Sequence, residues 1–200
     1  MKHVVLLLLM LPSLAFATCV GFVRLTFDDG PSPYTSQVLD VLQQHDVKAT
    51  FFVIGEKISN NRKQLIRMVK EGHRVGNHTW SHPDLTKLTT EARVEELRKT
   101  SAAIKDVIGF SPVEWRPPFE LWNQDLQKEA AALEMIMTLW TYGTDSEDWK
   151  GHSADIIVEK LTSNMSHGSI ILMHDTQENS LSALSRVITG VKEKNLCFAN

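Results

Sequence analysis

The chain is poor in cysteine, lacks any excess of basic residues, and has no apolar run long enough to span a bilayer comfortably. Only two cysteines occur in 200 residues, Cys19 and Cys197. Neither stands in a metal-type spacing, and two do not make a disulfide framework. The net charge is -3 at pH 7 and the pI near 6.2, which excludes a general nucleic-acid binder, whose footprint is a basic face. The longest apolar stretch, 4–11, is short of the roughly 20 residues a spanning helix needs. There is no internal repeat, no low-complexity tract and no linker-like segment. With 42% hydrophobic and 22% charged residues, the composition fits one globular domain with a sizeable core.

The apolar stretch has another reading. Lys2 and His3 precede it, and Pro12-Ser13-Leu14-Ala15-Phe16-Ala17 follows. A basic start, an apolar centre and an Ala-x-Ala end make a signal peptide over 1–17, leaving 18–200 as the domain. A retained anchor is the alternative. A lipid attached at Cys19 fits less well, because Thr18 stands where such signals carry a smaller residue. Export implies a released, periplasmic or cell-envelope protein that meets a membrane only through its transient leader. In that setting Cys19 and Cys197 are expected to pair, a closure worth about 2–4 kcal/mol. The protein is expected to be a monomer.

The most informative stretch is Arg24-Leu25-Thr26-Phe27-Asp28-Asp29-Gly30-Pro31. An apolar, β-prone run ends in two adjacent carboxylates, and Gly-Pro then opens a loop. Neighbouring side chains on an extended backbone point opposite ways, so two different tasks are expected of Asp28 and Asp29. An acidic turn solvating a strand end fits this stretch equally well. Downstream, helical spacing predicts helices over 34–46, 60–71, 90–109, 123–132, 153–165 and 181–194. Between them, short β-prone runs predict strands at 49–54, 73–76, 113–115, 134–140, 169–173 and 196–198. Alternating strands and helices mean an α/β fold with a parallel sheet, either an open doubly wound sheet or a barrel. In both, sites lie at the carboxyl ends of strands. Asp28, Asp29, His78, Arg116 and His174 all fall at such ends.

His78 and His82 are four apart with Pro83 next. Proline keeps His82 out of the α region, so the pair sits on a tight loop, where two imidazoles can converge on one ion. With Asp29 they make a two-His, one-carboxylate set suited to zinc or another divalent transition ion. Two surface histidines beside a proline turn would look the same. Asp28 is then a candidate base, and His174 a candidate proton donor.

Five stretches in order resemble the motifs of the polysaccharide deacetylases, metal-dependent carbohydrate esterases with the nodulation-type deacetylase domain. They are Thr26-Phe27-Asp28-Asp29-Gly30-Pro31, His78-Thr79-Trp80-Ser81-His82, Arg116-Pro117-Pro118-Phe119, Asp145-Ser146-Glu147-Asp148-Trp149 and Ile171-Leu172-Met173-His174-Asp175. The resemblance implies a single-domain, distorted (β/α) barrel with about seven parallel strands. It implies Asp28 as base held by Arg116, His174 as acid oriented by Asp148, and a divalent ion, zinc above all, on Asp29, His78 and His82. The Phe119 N–H would bind the oxyanion, and Trp149 and Leu172 would line an acetyl pocket. Tyr34, Phe119 and Trp122 are candidates for stacking on sugar rings, while Trp149, Leu172 and Trp80 fit the core equally well. The implied reaction is removal of N-acetyl groups from N-acetylglucosamine polymers, chitin fragments or peptidoglycan. An O-acetyl esterase on xylan or exopolysaccharide and a non-catalytic glycan-binding module are the alternatives. One departure stands out: where the family usually has Tyr-Gly after the prolines, this chain has Phe119-Glu120.

Overall fold

The computed structural model describes residues 19–199, so the expected leader and its cleavage site lie outside the described residues. Seven strands form one sheet: β1 (Gly21–Asp28), β2 (Thr50–Val53), β3 (Arg74–Asn77), β4 (Glu114–Trp115), β5 (Ile136–Met137), β6 (Ile170–His174) and β7 (Leu196–Phe198). The order is β5-β4-β3-β2-β1-β6, with β7 on β1, and every pairing is parallel. β6 and β7 share one edge of β1: β7 pairs its first residues and β6 its last. Between β5 and β6 the sheet is closed only loosely. There residues 141–146 run beside β6, with the Thr141 N–H donating to Ile170 O at 3.0 Å and the Ser146 N–H to Leu172 O at 2.9 Å. The result is a curled half-barrel, the distorted barrel that the motifs implied. The strand expected over 134–140 shrinks to two residues; its partner β4 is itself two residues long, and the Thr138 N–H makes one further bond to Trp115 O at 2.9 Å.

Helices α1 (Thr35–His45), α2 (Gly55–Ile58), α3 (Arg62–Lys70), α4 (Thr90–Ile108), α5 (Gln124–Ala132), α6 (Ala154–Asn164) and α7 (Glu178–Glu193) link the strands. The short α2 was not legible in the sequence. Ser153 caps α6, its Oγ accepting the Ile156 N–H at 3.4 Å. No described helix is long and apolar enough to cross a membrane. The expected pair forms: Cys19 and Cys197 are disulfide-bonded, with Cα atoms 5.6 Å apart.

Strand alternation sorts β1 into two faces. Val23, Leu25 and Phe27 enter the main core with residues of α1, α3, α6 and α7. Arg24, Thr26 and Asp28 face the inside of the half-barrel, where they meet polar partners. Arg24 Nη2 donates to Glu114 at 2.8 Å, and Arg74 Nη1 joins the same carboxylate at 3.0 Å. Higher up, Arg116 Nη1 bonds Thr26 Oγ1 at 2.9 Å and Asp28 Oδ1 at 2.8 Å. The interior is therefore a column of paired charges ending at the carboxyl ends of the strands.

Candidate active site

Parallel register brings the site together. Asp28 at the end of β1 is the Cα partner of His174 at the end of β6. Asn77 of β3 pairs with Trp115 of β4, so His78 and Arg116 follow side by side. The two adjacent carboxylates do not diverge as an extended backbone would have them. Asp29 has φ 69°, in the left-handed region, which swings its side chain back so that both acids line one cavity of 520 Å³. His78, His82, Phe119, Trp149, Leu172 and His174 line the same cavity.

Asp29 Oδ1 lies 3.3 Å from His78 Nε2 and 3.2 Å from His82 Nε2. It is buried, with no hydrogen-bond partner. One ligand atom from each of the three residues falls within 4.8 Å of the others. The ring of His78 is oriented by its other nitrogen, Nδ1, which donates to Arg116 O at 2.8 Å and leaves Nε2 bare. Burial, and then the neighbouring His78, push the pKa of His82 down, favouring the neutral ring that ligates. Although burial opposes it, the neighbouring imidazoles of His78, His174 and His82 hold the Asp29 carboxyl far below its usual range. A bare carboxylate oxygen facing two bare imidazole nitrogens is a donor set that fits a divalent transition ion.

On one side stands Asp28 with Arg116, fully buried and bonded also to Thr138 O through Nε at 2.9 Å. Its guanidinium carbon lies 4.2 Å from the centre of the Phe52 ring. On the other side His174 Nδ1 donates to Asp148 Oδ1 at 2.6 Å, while Nε2 points to the Asp29 side, 3.9 Å from Oδ2. Asp148 is buried and accepts from the His174 N–H, the Trp149 N–H and Ser180 Oγ. Burial weighs against a charged His174, yet the hydrogen bond and charge of Asp148, then Asp28 and Asp29, push its pKa up to about 9. These neighbours favour the protonated ring.

Arg116 and Asp148 thus support the cavity from behind, and the other expected site residues, Asp28, Asp29, His78, His82, Phe119, Trp149, Leu172 and His174, line it. Tyr34, Trp80 and Trp122 are absent from its lining. Trp80 instead carries Lys99 Nζ, 3.9 Å over its ring, and packs on Gly55. Phe119 and Trp149 are exposed at the rim, and Leu172 is buried at the floor. Phe119 (φ 59°) and Glu120 (φ 58°) both adopt the left-handed conformation. Glu120 thus keeps a backbone shape that favours the glycine usual at this place. Trp140 and Asp145 line the cavity too. The sequence held a signal for each, since Trp140 ended a predicted strand and Asp145 opens the fourth motif.

Two acids, one half-buried and one fully buried, brace the loops that carry the cluster. Glu96 of α4 accepts the Trp80 and Ser81 N–H groups on Oε2, at 2.7 and 2.8 Å, and the Ser81 hydroxyl on Oε1 at 2.9 Å. It clamps the turn between His78 and His82, in which Thr79 and His82 are left-handed. Should the Asp29, His78 and His82 cluster hold a divalent ion, Glu96→Ala is expected to weaken its binding about 10–100-fold, the usual cost of losing an outer-shell support. Competition against a chromogenic chelator measures this, and Glu96→Gln should recover part of it.

Asp175 is the other brace. It is fully buried, its carboxylate lies against the Cα of Gly30, where any Cβ would collide with both oxygens, and Thr35 Oγ1 donates to Oδ2 at 2.5 Å. Burial pushes its pKa up to about 7, from 3.8. Between those values the folded chain holds a proton that the unfolded chain has lost, so this group's contribution to stability falls as pH rises through the window. Asp175→Asn should remove that slope. Thermal melts of metal-free wild type and variant from pH 4 to 8 should show the variant gaining on wild type as pH rises. A constant difference would contradict it.

A parallel α/β half-barrel with paired carboxylates and imidazoles gathered in one cavity at its strand ends has the layout of a barrel hydrolase. The chain belongs to the polysaccharide deacetylase family, whose model matches residues 17–138. It is 37% identical over 177 residues to the peptidoglycan-N-acetylglucosamine deacetylase PgdA of Listeria monocytogenes serotype 1/2a (strain 10403S). That match covers 88% of this chain and 37% of the relative, so the chain spans little more than a third of that protein's length. It is 41% identical over 155 residues to the chitooligosaccharide deacetylase of Bradyrhizobium sp. (strain ANU 289), covering 76% of this chain and 70% of that one. Among solved structures, the family 4 carbohydrate esterase from Streptomyces lividans in complex with acetate superposes with a TM-score of 0.86 at 35% identity, covering 91% of this chain and 93% of that one.

Proposed function

We propose that residues 18–200 form an exported deacetylase domain, preceded by a leader at 1–17, acting in the cell envelope or outside the cell. It removes N-acetyl groups from N-acetylglucosamine-containing glycans, peptidoglycan or chitin oligosaccharides. The observation that carries the reading is that Asp28, paired with Arg116, and His174, paired with Asp148, share one cavity with the Asp29, His78 and His82 cluster. The names of the relatives support the substrate class.

Asp29, His78 and His82 would hold the divalent ion, zinc by the nature of the donors. When bound, such an ion polarises a carbonyl and acidifies water. Asp28 accepts a proton from the attacking water through Oδ2, since Oδ1 is engaged by Arg116. The water oxygen bonds to the acetyl carbon, and the Phe119 N–H donates to the resulting oxyanion. Leu172 and Trp149 enclose the methyl group and exclude water. As the C–N bond breaks, His174 gives its Nε2 proton to the departing nitrogen, and Asp148 holds the ring in the tautomer this requires. Acetate and a free amine leave.

The test is acetate release by the purified chain from chitooligosaccharides, peptidoglycan and acetylxylan, with zinc and with a chelator. Release from the N-acetylated glycans, abolished by the chelator, is expected. Release from acetylxylan alone would make it an O-acetyl esterase, and release from none a binding module.

A further inference from the structure

The cavity has one carboxylate without a task. Asp145 lines it beside Leu172 and His174. Its backbone is locked to β6: Asp145 bridges Leu172, the Leu172 N–H donates to Thr144 O at 2.9 Å, and the Ser146 N–H donates to Leu172 O at 2.9 Å. The Glu147 N–H donates to Asp145 Oδ1 at 2.9 Å and sets the plane of the carboxylate. Oδ2 has no hydrogen-bond partner among the described residues. A half-buried acceptor oxygen is thus held, without a donor, on the wall that also carries the floor residue Leu172 and the proton donor His174.

We propose that Asp145 makes this cavity select an acetamide over an acetate ester, by accepting a hydrogen bond from the amide N–H of the bound N-acetyl group. The inference rests on the deacetylase reading above. An acetamide brings an N–H to the position next to His174, and an ester brings an oxygen with lone pairs only. A carboxylate facing that oxygen is repelled, and its own desolvation goes uncompensated. Burial already disfavours the charged form, raising the Asp145 pKa despite the Glu147 N–H and the charge of His174, so a donor arriving with the substrate relieves a cost. When the C–N bond breaks, the nitrogen keeps this N–H and gains a second proton from His174, so the contact lasts through the step. A site built to bond a substrate N–H discriminates strongly against the analogue lacking it.

The experiment compares kcat/KM on N-acetylchitopentaose with kcat/KM on 4-nitrophenyl acetate and acetylxylan, in wild type, D145A and D145N. The amide-to-ester ratio should fall about tenfold or more in D145A. D145N, which keeps an acceptor oxygen, should recover part of it. An unchanged ratio, whether both activities hold or fall together, overturns the assignment. Zinc content and thermal melts establish that each variant is folded and loaded, and D145S takes the place of D145A should the latter not fold. A wild type that deacetylates chitopentaose with a ratio unmoved by substitution overturns this inference alone. A wild type that cleaves only esters overturns the deacetylase reading along with it.

Discussion

Asp28→Asn is expected to lower the rate of acetate release by about 10²–10⁴-fold, the contribution of a positioned general base, while one zinc per chain remains bound. The two readouts separate because Asp28 stands beside the ligand cluster and is absent from it. Its Oδ2 is 3.7 Å from His78 Nε2, and its Oδ1 is taken by Arg116. Asparagine keeps an acceptor for Arg116 but has no carboxylate to take a proton. The substitution therefore removes the base and retains most of the geometry. Asp28→Ala is expected to do more. It would leave the fully buried Arg116 guanidinium without its counter-charge, a loss of about 3–5 kcal/mol for a broken buried pair. Kinetics, metal analysis and a thermal melt on the two variants together check this. Full activity in Asp28→Asn would remove Asp28 from the role of base.

Asp29→Ala is expected to lose the ion itself. The carboxylate is the sole oxygen donor of the trio, and its Oδ1 is the atom facing both bare imidazole nitrogens. After dialysis the variant should retain no stoichiometric zinc. Its activity should match that of chelator-treated wild type. The melting temperature gives a reading independent of turnover. Wild type should rise on adding zinc, because an ion that binds the folded state alone stabilises it by mass action, and the variant should not move. Stoichiometric zinc in Asp29→Ala would overturn the ligand assignment. The pair of substitutions is diagnostic because adjacent residues are predicted to fail in different ways, one in proton transfer and the other in metal retention.

Much of this was legible in the chain. Apolar runs closed by Asp28-Asp29-Gly30-Pro31 and by His174-Asp175 mark strand ends, where parallel α/β folds place their sites. Alternation of strand and helix specified a parallel sheet, and two cysteines behind a leader-like start pointed to a bridge that the structure contains. These features are local: each depends on side-chain periodicity, turn chemistry or order along the chain. Tertiary structure decided what local patterns cannot. It turned Asp29 back through a positive φ, so that neighbouring carboxylates share a cavity. It set Asp28 against His174, 146 residues on, by the register of β1 with β6. It chose Glu96 on a helix face to clamp the His78–His82 turn and left Asp145 facing the cavity with an open oxygen. Such placements follow from how strands pair and helices pack across long sequence separations, and periodicity along a single chain carries no record of that pairing.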